Sequence, residues 1–388
     1  MTGRRPAVFL GHTAAPSGAE LAFARLAGEL RRRGRTTSAV LLEPGPLVDV
    51  LQAQDVPVTV LPSVARRVGR GSGPLALVRG AVGMIRDGLR VAAVLRAHDA
   101  GVVVAQSTKT LLIGAVAARR AGVPLVWQVH DRISGEYFGP LRFPLRLLGR
   151  LAADGFLANS RGTLGTLRTR GTPAAVCPPG VDLAAVPPAA PQRPPAEARI
   201  AMVGRLTEWK GQDLVLEALA AMRTTPTVRF VGGVFFGEEQ FAARVRTQAA
   251  YLGVVDRVTF TGHVEDPAAE IADADIVVHY SRLTEPFGQV VAEAMAAGRA
   301  VVAAKAGGPA EMIVDGHDGV LVRPGRPAEL AAALDALIAD PVRRARLGAA
   351  ARERARDLDL RTSALIADAL LSRVERDALT ARAERAAP

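Results

Sequence analysis

The sequence predicts an α/β protein of two doubly wound domains facing a central cleft. Three observations carry that expectation. Short, continuously apolar runs alternate with helical patterns through both halves of the chain, as parallel strands covered on both faces require. A segment rich in proline interrupts the alternation once, after which it restarts. The length of 388 residues is enough for two cores of ordinary size.

In the first half the strands are expected over 7–10, 37–42, 57–61, 102–105, 125–129, 155–158 and 174–177, with helices such as 19–33 and 109–121 between them. The ten residues from Val186 to Pro195 hold five prolines, which makes a stiff linker of 187–196. Beyond it strands are expected over 199–203, 228–231, 258–260, 276–280, 300–304 and 319–322. The helices there are 211–222, 238–252, 287–297 and 328–338. The domains therefore run over 1–186 and 197–360, and a helical tail, 361–388, packs back on the first domain.

Composition narrows the function. A 49% hydrophobic, 22% charged chain is that of a globular protein. The single cysteine, Cys177, forbids an intrachain disulfide and a cysteine-built zinc site, and fits a reducing cytoplasm. The run Ala7–Leu10 is too short for a signal-peptide core, and no run is long enough to span a bilayer. Charge is lopsided. Residues 1–195 hold 25 Lys and Arg against 11 Asp and Glu, and the remainder hold 24 against 27. A first half at +14 points to an anionic partner, a membrane surface or an anionic acceptor; no nucleic-acid partner is expected.

Chemistry is expected where polar residues follow strands. Gly204-Arg205 ends the strand 199–203, and Lys210 follows five residues later. Glycine permits a tight turn, and a guanidinium fork with a point-charge ammonium suits a diphosphate. Glu285-Pro286-Phe287-Gly288 precedes Glu293, with Pro286 in the first turn of a helix that Gly298 ends. An unbroken helix would set the two carboxylates about 12 Å apart. That suits two ends of an extended ligand and not a pair of acids on one bond, which stand ~5 to 9.5 Å apart. Gly307-Gly308, after the strand 300–304, would let backbone N–H groups approach an anion. His130-Asp131 follows the strand 125–129, where the imidazole can serve a sugar hydroxyl. Ser17-Gly18-Ala19-Glu20 reads both as a loop glycine and as a Ser17 helix cap with Glu20 three residues on. Asp273 and Asp275 read as turn or cap residues, and no metal site is expected. The P-loop, Gly-x-Ser-x-Gly and Gly-x-Gly-x-x-Gly patterns are absent.

Together, Gly204–Asp213 and Ser281–Gly298 resemble the GT-B glycosyltransferases of family GT4, with weaker likeness at Ser17–Glu20, Asn159-Ser160 and 178–182. The resemblance implies two Rossmann-like domains and a retaining transfer of a hexose from a nucleoside-diphosphate sugar, UDP-, GDP- or ADP-linked. It implies no permanently bound cofactor and no metal. Arg205 and Lys210 would neutralise the leaving diphosphate, with Gly204 and Gly18 allowing close approach. Glu285 would hold hydroxyls of the transferred sugar, and His130 would face that sugar. Phe287 and Gly288 would offer backbone N–H groups, Glu293 would accept from the ribose, and the backbone at His263 and Val264 would meet the base. Attack would come from the front face, with the leaving phosphate as base.

The acceptor expected is a lipid-linked or envelope glycan precursor, or alternatively a small specialised metabolite. An epimerase, a hydrolase and a non-catalytic sugar-nucleotide binder remain as other readings. Arg142, Arg146 and Arg150 share one helical face, and Arg79, Arg86 and Arg90 are set among aliphatics in 75–95. Basic amphipathic helices of this kind lie in membrane interfaces, so a peripheral place on the inner face of the membrane is expected beside a packed-helix alternative.

Overall fold

The computed structural model describes residues 5–65, 74–234 and 237–386. The chain forms two compact units, Met1–Gly180 with Leu360–Pro388, and Val181–Asp359.

The first unit is a seven-stranded parallel sheet of order β3-β2-β1-β4-β5-β6-β7. Its strands are β1 (Ala7–Gly11), β2 (Thr37–Leu41), β3 (Val58–Val60), β4 (Val102–Ala105), β5 (Leu125–Val129), β6 (Gly155–Ala158) and β7 (Ala174–Val176). The helices are α1 (Gly18–Arg32), α2 (Leu47–Gln52), α3 (Pro74–Ala97), α4 (Thr108–Ala121), α5 (Gly135–Phe138), α6 (Arg142–Ala152) and α7 (Arg161–Leu164). β1, β2, β4, β5 and β6 are buried along their whole length, which is why they read as unbroken apolar runs. One sheet face packs on α1 and α2, and the other on α3 and α4 with α6 at its margin.

The second unit repeats the plan with a six-stranded parallel sheet, β10-β9-β8-β11-β12-β13. Its strands are β8 (Arg199–Val203), β9 (Thr227–Val231), β10 (Val258–Gly262), β11 (Ile276–His279), β12 (Ala300–Ala304) and β13 (Val320–Val322). The helices are α8 (Gln212–Ala221), α9 (Glu239–Tyr251), α10 (Pro267–Asp273), α11 (Gln289–Ala296), α12 (Gly307–Met312), α13 (Pro327–Ala339) and α14 (Pro341–Arg354). In each sheet the strand order reverses once, between β1 and β4 and between β8 and β11. Ligands of open α/β sheets bind beyond the carboxyl ends of the strands at such a reversal.

The last helix, α15 (Leu360–Ala386), belongs to the first unit. Ala364, Ala367, Leu371 and Val374 enter the α1 side of its core. The buried Arg35 donates to Asp368 at 2.8 Å and to Glu375 at 2.7 Å. Cys177, whose thiol burial pushes up to about 12, donates to the Ser363 carbonyl at 3.4 Å.

The proline-rich segment departs from the sequence expectation. The chain passes between units at Gly180–Val181, and residues 187–196 are part of the second unit. Two buried charges hold them there. Asp275 accepts from the Arg193 and Arg199 backbone N–H groups, both at 2.9 Å. Arg344 donates to Gln192 at 2.9 Å and to the carbonyls of Leu337 and Ile338 at 3.0 and 2.8 Å. Asp273, too, pairs with Arg193, and it meets Arg199 at 2.8 Å. The two aspartates thus serve as anchors for the segment. Proline here removes donors that a packed coil cannot satisfy, and the arginines cap the carbonyls that remain.

Replacing Asp275 by Ala strips two buried N–H groups of their acceptor and leaves Arg193 short of a partner. The expected loss is about 3 kcal/mol of second-unit stability. Thermal melts should show it as a lowered midpoint, with faster proteolytic cutting at 187–196; an unchanged midpoint would remove Asp275 as the anchor.

Candidate active site

At the reversal of the second sheet, β8 and β11 pair side by side through Ile276–Ile200 and Val277–Ala201. The chain leaves β8 at Gly204, whose φ of +148° is open to glycine and whose N–H donates to the Val231 carbonyl at 2.8 Å. It then makes a short 3₁₀ turn, Glu208–Lys210, closed by Gly211 in the left-handed region. A Cβ at Gly211 would lie 2.4 Å from the Tyr280 carbonyl oxygen, so glycine lets this turn sit directly against the end of β11. That approach delivers Lys210.

Lys210 Nζ donates to Glu285 Oε2 at 2.8 Å and stands 4.1 Å above the Trp209 ring. Ser281 Oγ donates to the same oxygen at 3.1 Å, and His279 Nε2 lies 3.2 Å from it. Neither ring nitrogen of the buried His279 makes a well-aligned hydrogen bond. Burial alone would raise the Glu285 pKa. The Lys210 ammonium, then the His279 imidazole, outweigh it and hold the carboxyl well below the usual carboxylate range. The result is a fixed, ionised carboxylate with a cation at its side.

The segment after Glu285 departs from expectation in one respect. α11 begins at Gln289, so Pro286 lies before the helix and not in its first turn. Gly288 caps α11 in the left-handed region at φ +91°, and Gly298, at φ +68°, follows its last turn. Phe287 is buried, and Glu293, half-buried on α11, accepts from Gln289 Nε2 at 3.0 Å.

Gly307-Gly308 also differs. A Cβ on Gly307 would lie 2.0 Å from the Glu285 carbonyl oxygen, and one on Gly308 2.0 Å from that of Phe287. The Gly308 N–H donates to the Glu285 carbonyl at 2.9 Å and so is engaged within the protein. The glycine pair therefore seats 285–288 rather than presenting that N–H to an anion. Arg205 is half-buried, and its carbonyl accepts from Gln212 Nε2 at 2.7 Å. Val264 sits in the loop between β10 and α10. No group of three or more His, Cys, Asp or Glu among the described residues could hold a metal ion.

The first unit carries His130 and Gly18. His130 follows β5, and its Nε2 pairs with Gln106 Oε1 at 3.2 Å. Gln106 donates in turn to Gln128 Oε1 at 3.0 Å, while Asn159 Nδ2 donates to the His130 carbonyl at 2.7 Å. The residue keeps some accessible surface, yet its ring is enclosed enough that burial pulls its pKa down to about 4. It is a neutral hydrogen-bonding group at ordinary pH. Gly18 opens α1, with nothing within 4 Å of where a Cβ would stand. The expected Ser17 cap is not formed. Its hydroxyl donates to the Glu20 carboxylate and accepts no backbone N–H.

The sequence reading overlooked His279 and Ser281 beside Glu285, and Gln106 and Gln128 behind His130. The signal was present in two of them. His279 ends, and Gln128 interrupts, an otherwise apolar, fully buried strand, where a polar side chain needs a partner.

Comparison with known proteins finds relatives along most of the chain. The family model described as Glycosyl transferases group 1 matches residues 188–354, and that of Glycosyltransferase Family 4 matches 16–185. A protein of Nocardiopsis dassonvillei named D-inositol 3-phosphate glycosyltransferase is 34% identical over 275 residues, 63% of this chain and 64% of that one. One of the same name from Stackebrandtia nassauensis is 36% identical over 198 residues, 46% of this chain and 44% of its own. These matches thus span less than two thirds of the relatives' lengths. The crystal structure of Anabaena Alr3699/HepE in complex with UDP and glucose has a TM-score of 0.81 at 29% identity, covering 95% of this chain and all of that one. Sucrose-phosphate synthase from Thermosynechococcus elongatus has a TM-score of 0.77 at 20% identity, over 97% of this chain and all of its own, and so shares the fold.

Two outcomes follow from the charges. Lys210→Met strands an enclosed carboxylate and should cost about 3 kcal/mol near neutral pH. Because the folded pKa of Glu285 is depressed, the stability linked to it is present above the unfolded carboxylate range and lost as pH falls through the folded value. The penalty should therefore shrink in acid, and Lys210→Met with Glu285→Gln should recover most of it, as read by unfolding midpoints across pH. For His130 the sign is opposite in origin, since its charged form is disfavoured. Its ring resonances should stay those of the neutral form at pH 5.5, and a titration near 6.5 would show the ring to be solvated.

Proposed function

The chain belongs to the GT4-type glycosyltransferases of GT-B fold, and we propose that it is a retaining enzyme moving a hexose from a nucleoside-diphosphate sugar to an acceptor hydroxyl. The half-buried Lys210–Glu285 pair at the β8/β11 reversal is the observation that carries this reading. An ionised carboxylate accepts from sugar hydroxyls, and the ammonium beside it keeps two further N–H donors for a phosphate oxygen. With Arg205 it would meet charge as it develops on the leaving diphosphate, the kind of stabilisation usually largest in such chemistry. Gly204 permits close approach at the strand end, and the Phe287 and Gly288 backbone is proposed to line the sugar and phosphate. Glu293 is proposed to accept from the ribose, and the backbone at Val264 to meet the base. In the first unit, Gly18 leaves open room for a ligand, and neutral His130 would hydrogen-bond the sugar without adding charge.

The proposed donor is UDP-linked, because the Anabaena relative was crystallised with UDP and with UDP-glucose. The proposed acceptor is anionic, a lipid-linked or envelope glycan precursor met at the cytoplasmic side of a membrane. The excess of arginine in the first half supports it. The names of the curated relatives favour a second reading, a small phosphorylated polyol.

A thermal-shift panel of UDP, GDP, ADP and dTDP tests the donor site, since a ligand of the folded state raises the midpoint. UDP alone should raise it; no shift with any of them would remove the donor reading. Glu293→Ala should weaken UDP binding by roughly ten- to a hundredfold, the cost of a lost charged hydrogen bond. Glu285→Ala should lower kcat by roughly 10²-fold or more, at little cost in UDP affinity. Equal, small effects from both would show the roles to be misassigned.

A further inference from the structure

The first half of α3 and the outer side of α6 leave large apolar residues to solvent, although Val91, Ala92 and Leu95 of α3 and Leu145 and Leu148 of α6 pack on the core. On α3, Leu75, Val78, Val82, Ile85 and Leu89 follow one another at three- and four-residue steps, which makes a single stripe. All five face solvent, with 42% to 62% of each side chain exposed. The opposite side of the same stretch carries Gly80, Gly83, Asp87 and Gly88, all buried. A Cβ on Gly83 would lie 2.5 Å from Ala65, and one on Gly88 2.6 Å from Val116 of α4. The glycines bring α3 flush against its neighbours and leave the large aliphatic residues outward. α6 repeats the arrangement. Its one buried residue is Gly149, where a Cβ would lie 2.7 Å from the Trp127 ring, and Phe143, Leu147 and Leu151 point out, with Leu141 just ahead of the helix. Both helices lie on the same face of the first sheet, on either side of α4.

Helices normally bury the apolar stripe and expose the polar one. Two helices on one face of the sheet, flanking α4, that turn large aliphatic residues outward add apolar surface that water covers poorly. Basic residues outnumber acidic ones around it, with Asp131, Glu136 and Asp154 as the exposed acids beside α6. Arg79 and Arg86 flank the α3 stripe and are exposed. At the end of α6, Arg150, Arg168 and Arg170 line a cavity of about 430 Å³ with Leu167 and Thr169, and no acid lines it. Among the described residues these five arginines pair with no carboxylate. Arg146, nearby, has its pKa lowered by burial and then by Arg142 and Arg168, a sign of how positive this corner is.

We propose that the outward face of α3 and α6 docks on an anionic lipid bilayer, with the aliphatic stripes entering the acyl boundary and the cavity of Arg150, Arg168 and Arg170 taking a headgroup phosphate. The charge decides the occupant. A second copy meeting this face by two-fold symmetry would set the same unpaired arginines against themselves. An anionic bilayer supplies both the apolar depth and the opposite charge. The inference rests on the first unit alone and stands or falls apart from the donor-site reading.

The test is co-sedimentation of the full chain with vesicles of phosphatidylcholine alone or with 30% phosphatidylglycerol, about a third of the lipid, as a typical anionic surface. Binding to the anionic vesicles, weakened by salt and at least tenfold stronger than to the neutral ones, is expected. Val82→Asp with Ile85→Asp should reduce it at least tenfold, and so should Arg168→Ser with Arg170→Ser. These side chains are outside the core, so circular dichroism and UDP-dependent melting should match the parent, which separates lost docking from lost folding. Absence of binding to anionic vesicles overturns the proposal, as does binding that the four substitutions leave unchanged. So does a dimer in ultracentrifugation without lipid that Ile85→Asp dissociates, which would assign the face to a second copy.

Discussion

The ion pair of Lys210 and Glu285 is the constraint around which the second unit is arranged. An enclosed carboxylate is costly unless a cation and hydrogen-bond donors meet it, and here three elements converge to do so. The β8 turn supplies Lys210, β11 supplies His279, and the loop after β11 supplies Ser281 and Glu285 itself. Convergence requires backbones to touch. Gly211 rests against the Tyr280 carbonyl, and Gly307 and Gly308 against those of Glu285 and Phe287. Side chains at any of these positions would push the loops apart and separate the charges. The glycines so conspicuous in this half of the sequence are thus conditions for the pair.

The two sheets show how one plan yields different chemistry. Each reverses its strand order once and presents polar groups at the carboxyl ends beside the reversal. In the second unit those groups are charged and matched. In the first they form a neutral relay, from Gln128 through Gln106 to His130, with the imidazole held uncharged by burial. A neutral relay can orient a hydroxyl without competing for a phosphate, whereas the charged pair can bind and stabilise an anion. This division of labour is the physical content of the proposed transfer reaction.

Much of this was legible in the chain. The strands announced themselves because parallel strands covered on both faces must be apolar throughout, and the structure moves their ends by a residue or two at most. Arg205, Lys210 and Glu285 stood out as charged residues in the loops that follow such strands, and Glu293 by its spacing from Glu285. What was illegible depended on contacts far apart in sequence. Nothing local tells that residues 187–196 are held by Asp275 and Arg344 from 82 and 152 positions away. Nor does a Gly-Gly pair say whether its N–H groups await a ligand or, as at Gly308, serve a neighbouring carbonyl. Ser17 and Glu20 satisfied a capping pattern in spacing, but the two side chains bond to each other.

The helices α3 and α6 make the sharpest case. Periodicity finds an apolar stripe, and the usual inference is that the stripe faces inward, because burial of aliphatic surface drives folding. In α3 a second pattern competes with it. Gly83 and Gly88 let the helix approach Ala65 and α4 to distances that leucine or valine would forbid, so close backbone packing takes the inner side. Dispersion contacts between closely approaching backbones replace the burial of large side chains there, and the aliphatic residues are left outside. Such an arrangement forgoes apolar burial in the isolated protein, which the proposed contact with a bilayer would offset. The glycines therefore determine not merely how α3 packs but which side of it is left for a partner.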